Sequence, residues 1–216
     1  MGRKAGFSNT TGLYGVCIGV GSGAAVGDGH ATEGLTAVGY NAGGAVTTGD
    51  NNTIMGHLAG DVIATGSNNL ILGYAAGASS NSVSNEITLG DGNISSLRCQ
   101  VQTISALSDS RDKTDIIDLP YGLDFINKTR PVQFKWDIRD EHCKEDNPHQ
   151  GKTRNGFIAQ DLLALGNNEQ HQLVYEENPD RLEASYGDLI PMLTKAIQEL
   201  SAKVDELENN KCKCKE

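Results

Sequence analysis

A serine and a lysine stand five residues apart near the midpoint of this 216-residue chain, in the segment SDSRDK at residues 108–113. A serine hydroxyl becomes an effective nucleophile when a neighbouring group accepts its proton. A lysine amine can accept that proton only when burial or a nearby cation lowers its pKa from about 10.4. Arg111 is such a cation for Lys113. The residue types and their spacing are therefore compatible with a Ser-Lys dyad, with Ser108 as nucleophile.

Taken alone, the same segment is better explained by a solvated turn or a helix cap. Serine and aspartate side chains bond to nearby backbone N–H groups in both of these structures. Asp109 is a supporting residue under the catalytic hypothesis, where it orients either Lys113 or Arg111. The sequence does not assign its partner.

Glycine and charge divide the chain into two parts. Most of the 26 glycines precede Ser108, whereas most of the charge and the single tryptophan, Trp136, follow it. Abundant glycine with few aromatic residues is typical of repetitive β structure rather than of a conventional large core. The formal net charge of -10 argues against nucleic acid and anionic membrane as partners. No apolar run approaches the length of a membrane span.

No cofactor and no metal site is predicted. The five cysteines form no recognisable framework, which suits a reducing compartment. His142, Cys143 and His149 share a charged loop, but no fourth zinc ligand follows with regular spacing. Cys212 and Cys214 suit a metal pair, a clasp between chains or, most simply, a frayed tail.

Residues 1–107 repeat with a period of 17. The repeat glycines are Gly39, Gly56, Gly73 and Gly90, and the first three follow the pairs Ala37-Val38, Ile54-Met55 and Ile71-Leu72. Such a period predicts an all-β solenoid or β-roll in which coils stack on their neighbours. Each unit has room for two short strands and two turns. We expect its single apolar pair to be too small for a core within one chain, so that several chains must associate.

One aromatic or imidazole ring follows the glycine in three of the repeats. Tyr40, His57 and Tyr74 occupy these equivalent positions. A stack that fixes the register of the coils is the simpler interpretation, and contact with a saccharide is the alternative.

After Ser108 the period disappears, and the sequence predicts a compact α+β domain over residues 108–216. Alternating apolar residues from Val132 to Trp136 predict a half-buried strand. The block GFIAQDLL at residues 156–163 predicts a strand that passes into a helix. The charged segment 139–155 is predicted to be a hairpin or loop.

The last helix has a heptad pattern. Ile190, Ile197 and Val204 occupy a positions, and Leu193, Leu200 and Leu207 occupy d positions. This pattern predicts a short parallel coiled coil over about residues 189–210. β-Branched a residues with leucine at d favour two strands, but so short a seam can be overruled by the domain attached to it. The alternative is a monomer in which the apolar stripe packs on its own domain.

Three blocks of the second part resemble a known family. They are SDSRDK at 108–113 followed by Ile116, GFIAQ at 156–160, and YGDLIP at 186–191. They resemble the intramolecular chaperone auto-processing domain at the C-termini of phage tail fibres and tail spikes. The glycine-rich repeats resemble the stalk and head repeats of phage fibres and trimeric bacterial adhesins.

The resemblance implies a homotrimer whose domain 108–216 chaperones the folding of the stalk 1–107. It further implies that Ser108 and Lys113 cut the Leu107–Ser108 bond in one turnover, as a self-cleaving serine endopeptidase. The expected setting is a phage virion, assembled in the host cytoplasm, with a larger tail fibre and a host surface receptor as partners. The alternative is a trimeric adhesin or fibre tip that is not cut and keeps the domain as a permanent cap.

Overall fold

The structure is a computed structural model that describes residues 2–7, 12–24, 32–101, 104–137, 139 and 147–213. For residues 211–213 it describes the backbone alone. The chain forms two compact units. The first contains Met1–Leu97 with Trp136–Gly151, and the second contains Arg98–Lys135 with Lys152–Glu216. The domain boundary predicted from the sequence, Leu107–Ser108, lies inside the second unit. Cleavage of the chain at this bond stays a prediction. None of the helices described is long and apolar enough to span a membrane.

The first unit contains a parallel β-solenoid of about four coils. Its strands are β1 (Val16–Ile18), β2 (Thr36–Val38), β3 (Thr53–Met55), β4 (Leu70–Leu72) and β5 (Ile87–Leu89), in that order across one sheet. The register of the last four strands advances by 17 residues per coil, which confirms the period. Each described coil has one strand instead of the expected two. Its return segment bonds to the next coil through isolated contacts, such as Thr47 N to Ala64 O at 2.8 Å.

The solenoid has a core inside a single chain, which corrects the expectation that several chains are needed for one. Alternation along each strand turns the middle residue inward, so Ala37, Ile54 and Ile71 are buried. The return segments add Val46 and Ile63, which are also fully buried. The apolar pair before each glycine is therefore split, because its first member enters the core and its second faces outward.

The repeat glycines permit the coils to stack closely. Gly56 has φ +143°, in the region that residues with a side chain rarely adopt. A Cβ atom placed there would lie 2.2 Å from the carbonyl oxygen of Gly73, the equivalent residue of the next coil. Glycine recurs at the coil spacing because each coil makes this same close approach.

A ladder of buried asparagines supports the register of the coils. The Asn52 side chain donates to Gly66 O at 2.8 Å, and its Oδ1 accepts from Asn69 N at 3.0 Å. Asn69 in turn donates to Val83 O at 2.8 Å. Since an unpaired buried amide costs about 1–3 kcal/mol, a slip of one coil that breaks this ladder is disfavoured.

The three repeat rings form a continuous stack. The ring centroids of Tyr40 and His57 lie 5.0 Å apart, and those of His57 and Tyr74 lie 5.6 Å apart, with interplanar angles of 19° and 15°. Stacking covers both faces of the middle ring, and a ring face is what a sugar would contact. The geometry therefore suits the register-fixing interpretation.

The second unit combines short strands with helices, in agreement with the α+β prediction. Its elements are α1 (Leu123–Ile126), β6 (Val132–Lys135), β7 (Thr153–Gly156), α2 (Ala159–Leu163), α3 (Asn168–His171), β8 (Val174–Tyr175), β9 (Glu183–Ala184) and α4 (Leu189–Lys213). Strands β6 and β7 pair antiparallel, as do β8 and β9. The buried core contains Leu162, Leu173, Val174, Leu189 and Met192.

Helix α4 presents two different faces. Leu189, Met192 and Ala196 pack against its own unit, and Glu199 Oε2 accepts a hydrogen bond from Leu123 N at 2.8 Å. The predicted seam lies on the other face, where each of its residues is at least 44% exposed: Ile190, Leu193, Ile197, Leu200, Val204 and Leu207. The stripe is therefore not buried against its own domain in the single chain, and the oligomeric state stays a prediction.

Candidate active site

Ser108 and Lys113 lie within hydrogen-bonding distance of each other. Lys113 Nζ donates to Ser108 Oγ at 2.7 Å. One turn of 3₁₀ helix, Ser110–Asp112, reverses the chain between them. The turn is closed by the bonds from Asp112 N to Asp109 O at 3.2 Å and from Lys113 N to Ser110 O at 3.3 Å. This local fold, rather than any distant element, places the amine beside the hydroxyl.

Asp109 interacts with Arg111. Its carboxylate caps the turn by accepting from Arg111 N at 2.9 Å, and it also accepts from Arg111 Nε at 3.0 Å and Nη2 at 2.6 Å. The hydrogen bonds from the Arg111 guanidinium hold the pKa of the Asp109 carboxyl below its usual value, and the bond from Arg111 N lowers it further by a smaller amount. The carboxylate raises the pKa of the Arg111 guanidinium in return. The structure thus answers what the sequence left open, since Asp109 orients Arg111 and fixes the turn.

The peptide bond before Ser108 is accessible. Residues 104–109 have no regular secondary structure, and Ile104 and Leu107 are 98% and 96% exposed. Ser108 and Lys113 are themselves exposed. A hydroxyl, an amine and a peptide bond in an exposed segment therefore occur together, and these are the kinds of group that an attack on the chain itself would use.

The possible zinc ligands do not form a described site. His142 and Cys143 lie outside the described residues. The His149 ring has a protein partner, because its Nε2 lies 3.0 Å from Ile94 O. Among the residues that the structure describes, no group of three or more His, Cys, Asp or Glu side chains is arranged to hold a metal ion.

Sequence reasoning missed a group of contacts made by the segment between β6 and β7. Residues 136–151 of this segment belong to the compact unit of the solenoid. Asn147 is buried, and its Nδ2 donates to Gly92 O at 3.1 Å, just beyond β5. His149 contacts Ile94 two residues further along. A charged, aperiodic stretch gives no signal for such contacts, although the Asn-Pro pair does indicate a turn.

We expect Asp109→Ala to slow any cleavage at Leu107–Ser108 about tenfold, because a loosened turn positions Lys113 less well. Asp109→Asn retains an acceptor for Arg111 N and should fall between Asp109→Ala and the wild type. Time courses of intact mass measure both variants. Faster cleavage in Asp109→Ala than in Asp109→Asn would contradict this role of the cap.

The direction of the Asp109 pKa shift also predicts a pH profile. A carboxyl group whose pKa is lower in the folded turn stabilises that turn at pH values above its unfolded-state pKa. This stabilisation is lost as the pH falls through the folded-state pKa. Between about pH 5 and 9 the carboxylate therefore stays ionised. The wild-type and Asp109→Asn profiles should have the same shape over this range and differ by a constant factor. A change in cleavage rate between about pH 5 and 9 that the wild type shows and Asp109→Asn does not would contradict the lowered pKa of Asp109.

Comparison with known proteins gives one family. Residues 108–170 match the family model described as "Chaperone of endosialidase", which is also designated a peptidase family. The match begins at Ser108, the nucleophile of the candidate dyad, and covers less than a third of the chain. No curated protein and no solved structure gives a match. The segment from Ser108 to Gln170 is therefore similar to the chaperone of endosialidase family, and this match supports a C-terminal chaperone domain of the phage tail fibre type.

Proposed function

We propose that this chain is a segment of a phage tail fibre or tail spike whose chaperone domain assembles three copies, guides folding of the solenoid and then releases itself. Release is by autoproteolysis at Leu107–Ser108, with Ser108 and Lys113 as the catalytic dyad. The mature segment functions in the virion, joined to a larger fibre and directed at a host surface receptor.

The 2.7 Å bond between Lys113 Nζ and Ser108 Oγ is the observation that carries the proposal. It occurs at the first residue of the family match, beside an exposed peptide bond. A chance pairing of two surface side chains would have no reason to coincide with the first residue of a match to a peptidase family.

In the proposed reaction, neutral Lys113 accepts the proton of Ser108 Oγ as that oxygen attacks the carbonyl carbon of Leu107. The C–N bond of the tetrahedral intermediate then breaks, and the Ser108 nitrogen leaves as an amine after taking the proton from Lys113. An ester joins Leu107 to Ser108 Oγ at this stage. Water hydrolyses the ester to give a carboxylate at Leu107 and the free hydroxyl of Ser108.

The exposure of the dyad suggests when the cut occurs. A lysine base must be neutral, and removal from water favours the neutral amine. Ser108 and Lys113 are both exposed in the single chain. Within the proposal, packing of neighbouring chains around residues 108–113 supplies the missing desolvation, so cleavage follows assembly. Loss of the chaperone domain then makes unfolding hard to reverse, which stabilises the fibre kinetically.

The solenoid itself explains why a chaperone is useful. Its coils are near-copies, so a strand paired one coil out of register still buries similar residues, and such errors slow folding. The contacts from Asn147 and His149 mark the end of β5 as a unique position among these copies. A chaperone domain that fixes this end would let the coils stack away from it in the correct register.

A second candidate function needs no chemistry. The domain would then be a permanent trimeric cap on an adhesin or fibre tip, with Ser108 inert. The exposure of Ser108 and Lys113 also fits this function, since a solvated turn has the same appearance.

Intact-mass spectrometry and light scattering of the purified full chain separate the two functions. The proposal predicts a trimer that accumulates two fragments, one ending at Leu107 and one beginning at Ser108. A trimer that stays full length after assembly is complete would favour the permanent cap. A stable monomer at micromolar concentration would contradict both functions.

A further inference from the structure

The outward side of the solenoid sheet is apolar. We define the outer face as the first and third residues of strands β1 to β5, which flank the inward middle residue. Of these ten positions eight are apolar, the other two are Thr36 and Thr53, and none is charged. Ile18, Met55 and Leu89 are each about half exposed. The second member of each repeat pair is thus apolar and outside the core.

This surface is unusual for a solvent-exposed sheet. Parallel sheets normally have both faces covered, and their strands then have continuous apolar runs such as Leu70–Leu72. Single exposed apolar residues need no explanation, but five strands spaced about 4.8 Å apart make a strip roughly 20 Å long. The repeat retains an apolar residue on this side in every coil. The outer face is therefore expected to be covered.

We infer that a second copy of this chain covers the outer face, with the solenoids side by side, parallel and in register around the trimer axis. A partner that covers the outer face must have apolar side chains repeated at the spacing of the coils. The outer face of a second, parallel copy has this repeat. The net charge of -10 opposes association except through a surface without carboxylates, and the outer face is such a surface. The inference rests on the trimer of the proposed function and assigns its contact surface on the stalk.

Helix α4 points independently to the same occupant. Its exposed seam from Ile190 to Leu207 also needs a parallel copy of the same chain. A strip roughly 20 Å by 10 Å is well below the about 800 Å² per partner of a stable interface. The helix seam is also too short to act alone. Neither surface reaches that area alone, and we expect each of them to contribute part of the contact between chains.

Cysteine cross-linking tests the contact in the full chain. The native cysteines are first replaced by Cys17→Ala, Cys99→Ser, Cys143→Ser, Cys212→Ser and Cys214→Ser, with Ser108→Ala added to keep the chain uncut. Met55→Cys introduces the probe on the outer face. Val62→Cys is the matched control, since Val62 is 45% exposed against 47% for Met55 but lies in a bend outside the strands.

A short bismaleimide should join pairs of chains through Met55→Cys with a yield about tenfold above that of Val62→Cys, because the trimer holds equivalent residues together. Sedimentation of the same samples reports the oligomer separately. A trimer in which the two positions cross-link equally would overturn the outer-face contact and leave the trimer standing. A monomer would overturn the trimer as well.

A second pair of variants avoids the altered cysteine background. Met55→Glu should lower the trimer fraction at micromolar concentration about tenfold, because an unpaired carboxylate in the contact must be desolvated. Val62→Glu adds the same charge to the same coil outside the outer face, and it should leave the trimer fraction unchanged. Equal losses in the two variants would contradict the inference.

Discussion

Lys113→Arg is expected to abolish cleavage at Leu107–Ser108 while the chain still assembles. Arginine keeps the positive charge and most of the bulk of lysine, but it does not release its proton in a protein. It can still donate a hydrogen bond to Ser108 Oγ and preserve the turn, so only the base is removed. Loss of a general base lowers a rate about 100-fold or more. The measurement is intact mass over time after assembly.

Two controls complete this experiment. Ser108→Ala removes the nucleophile, and it should also leave a full-length chain in a normal trimer. Lys128→Arg makes the same exchange at an exposed lysine of the same unit, and it should cleave at the wild-type rate. If Lys113→Arg also cleaves at the wild-type rate, Lys113 is not the base and the dyad is wrong.

Leu200→Asp is expected to reduce the yield of soluble trimer strongly. Leu200 is half exposed in the single chain, so the substitution places little burden on the unassociated domain. In the coiled coil the same position is buried against its equivalents, where carboxylates repel and lose water. The lost burial of leucine alone is about 1.5–3 kcal/mol per chain, which corresponds to roughly ten- to a hundredfold weaker association.

Ala202→Asp is the matched control for the helix. Ala202 lies two residues further along α4, is exposed and falls outside the a and d positions. It adds the same charge and a similar loss of helix propensity without entering the seam. Light scattering should give a trimer for Ala202→Asp and little trimer for Leu200→Asp. A normal trimer in both variants would show that the exposed seam of α4 does not hold the chains together.

The candidate site could be predicted from the sequence to a large extent, because it is local. Five residues separate Ser108 from Lys113, and a single turn brings them together without help from distant elements. The family match begins at the same serine. What the sequence could not assign was the partner of Asp109, since adjacent carboxylates and cations within one turn allow several pairings. The capping geometry of the 3₁₀ helix selects Arg111.

The contacts of residues 147–149 could not be predicted for the opposite reason. Asn147 bonds to Gly92, 55 residues away, and neither partner belongs to a periodic element. Periodicity reports which residues share a face of one element, but it is silent about contacts between distant irregular segments.

The sequence by itself determined the period of the solenoid and the seam of the last helix, because both follow from repeated spacing. Glycine at 17-residue intervals is dictated by the close approach of Gly56 to Gly73, which excludes a side chain. The heptad residues from Ile190 to Leu207 share one exposed face, as their spacing requires.

Only the tertiary structure decided how each apolar pair is used. Ile54 and Met55 are adjacent and similarly apolar, so composition cannot say which of them is buried. The pleat of a three-residue strand, closed by a glycine at positive φ, turns Ile54 into the core and Met55 outward. The return segment then adds Ile63 to the core. A single chain thereby buries a core that the pair could not make alone, because burial depends on where the coil closes rather than on the pair itself.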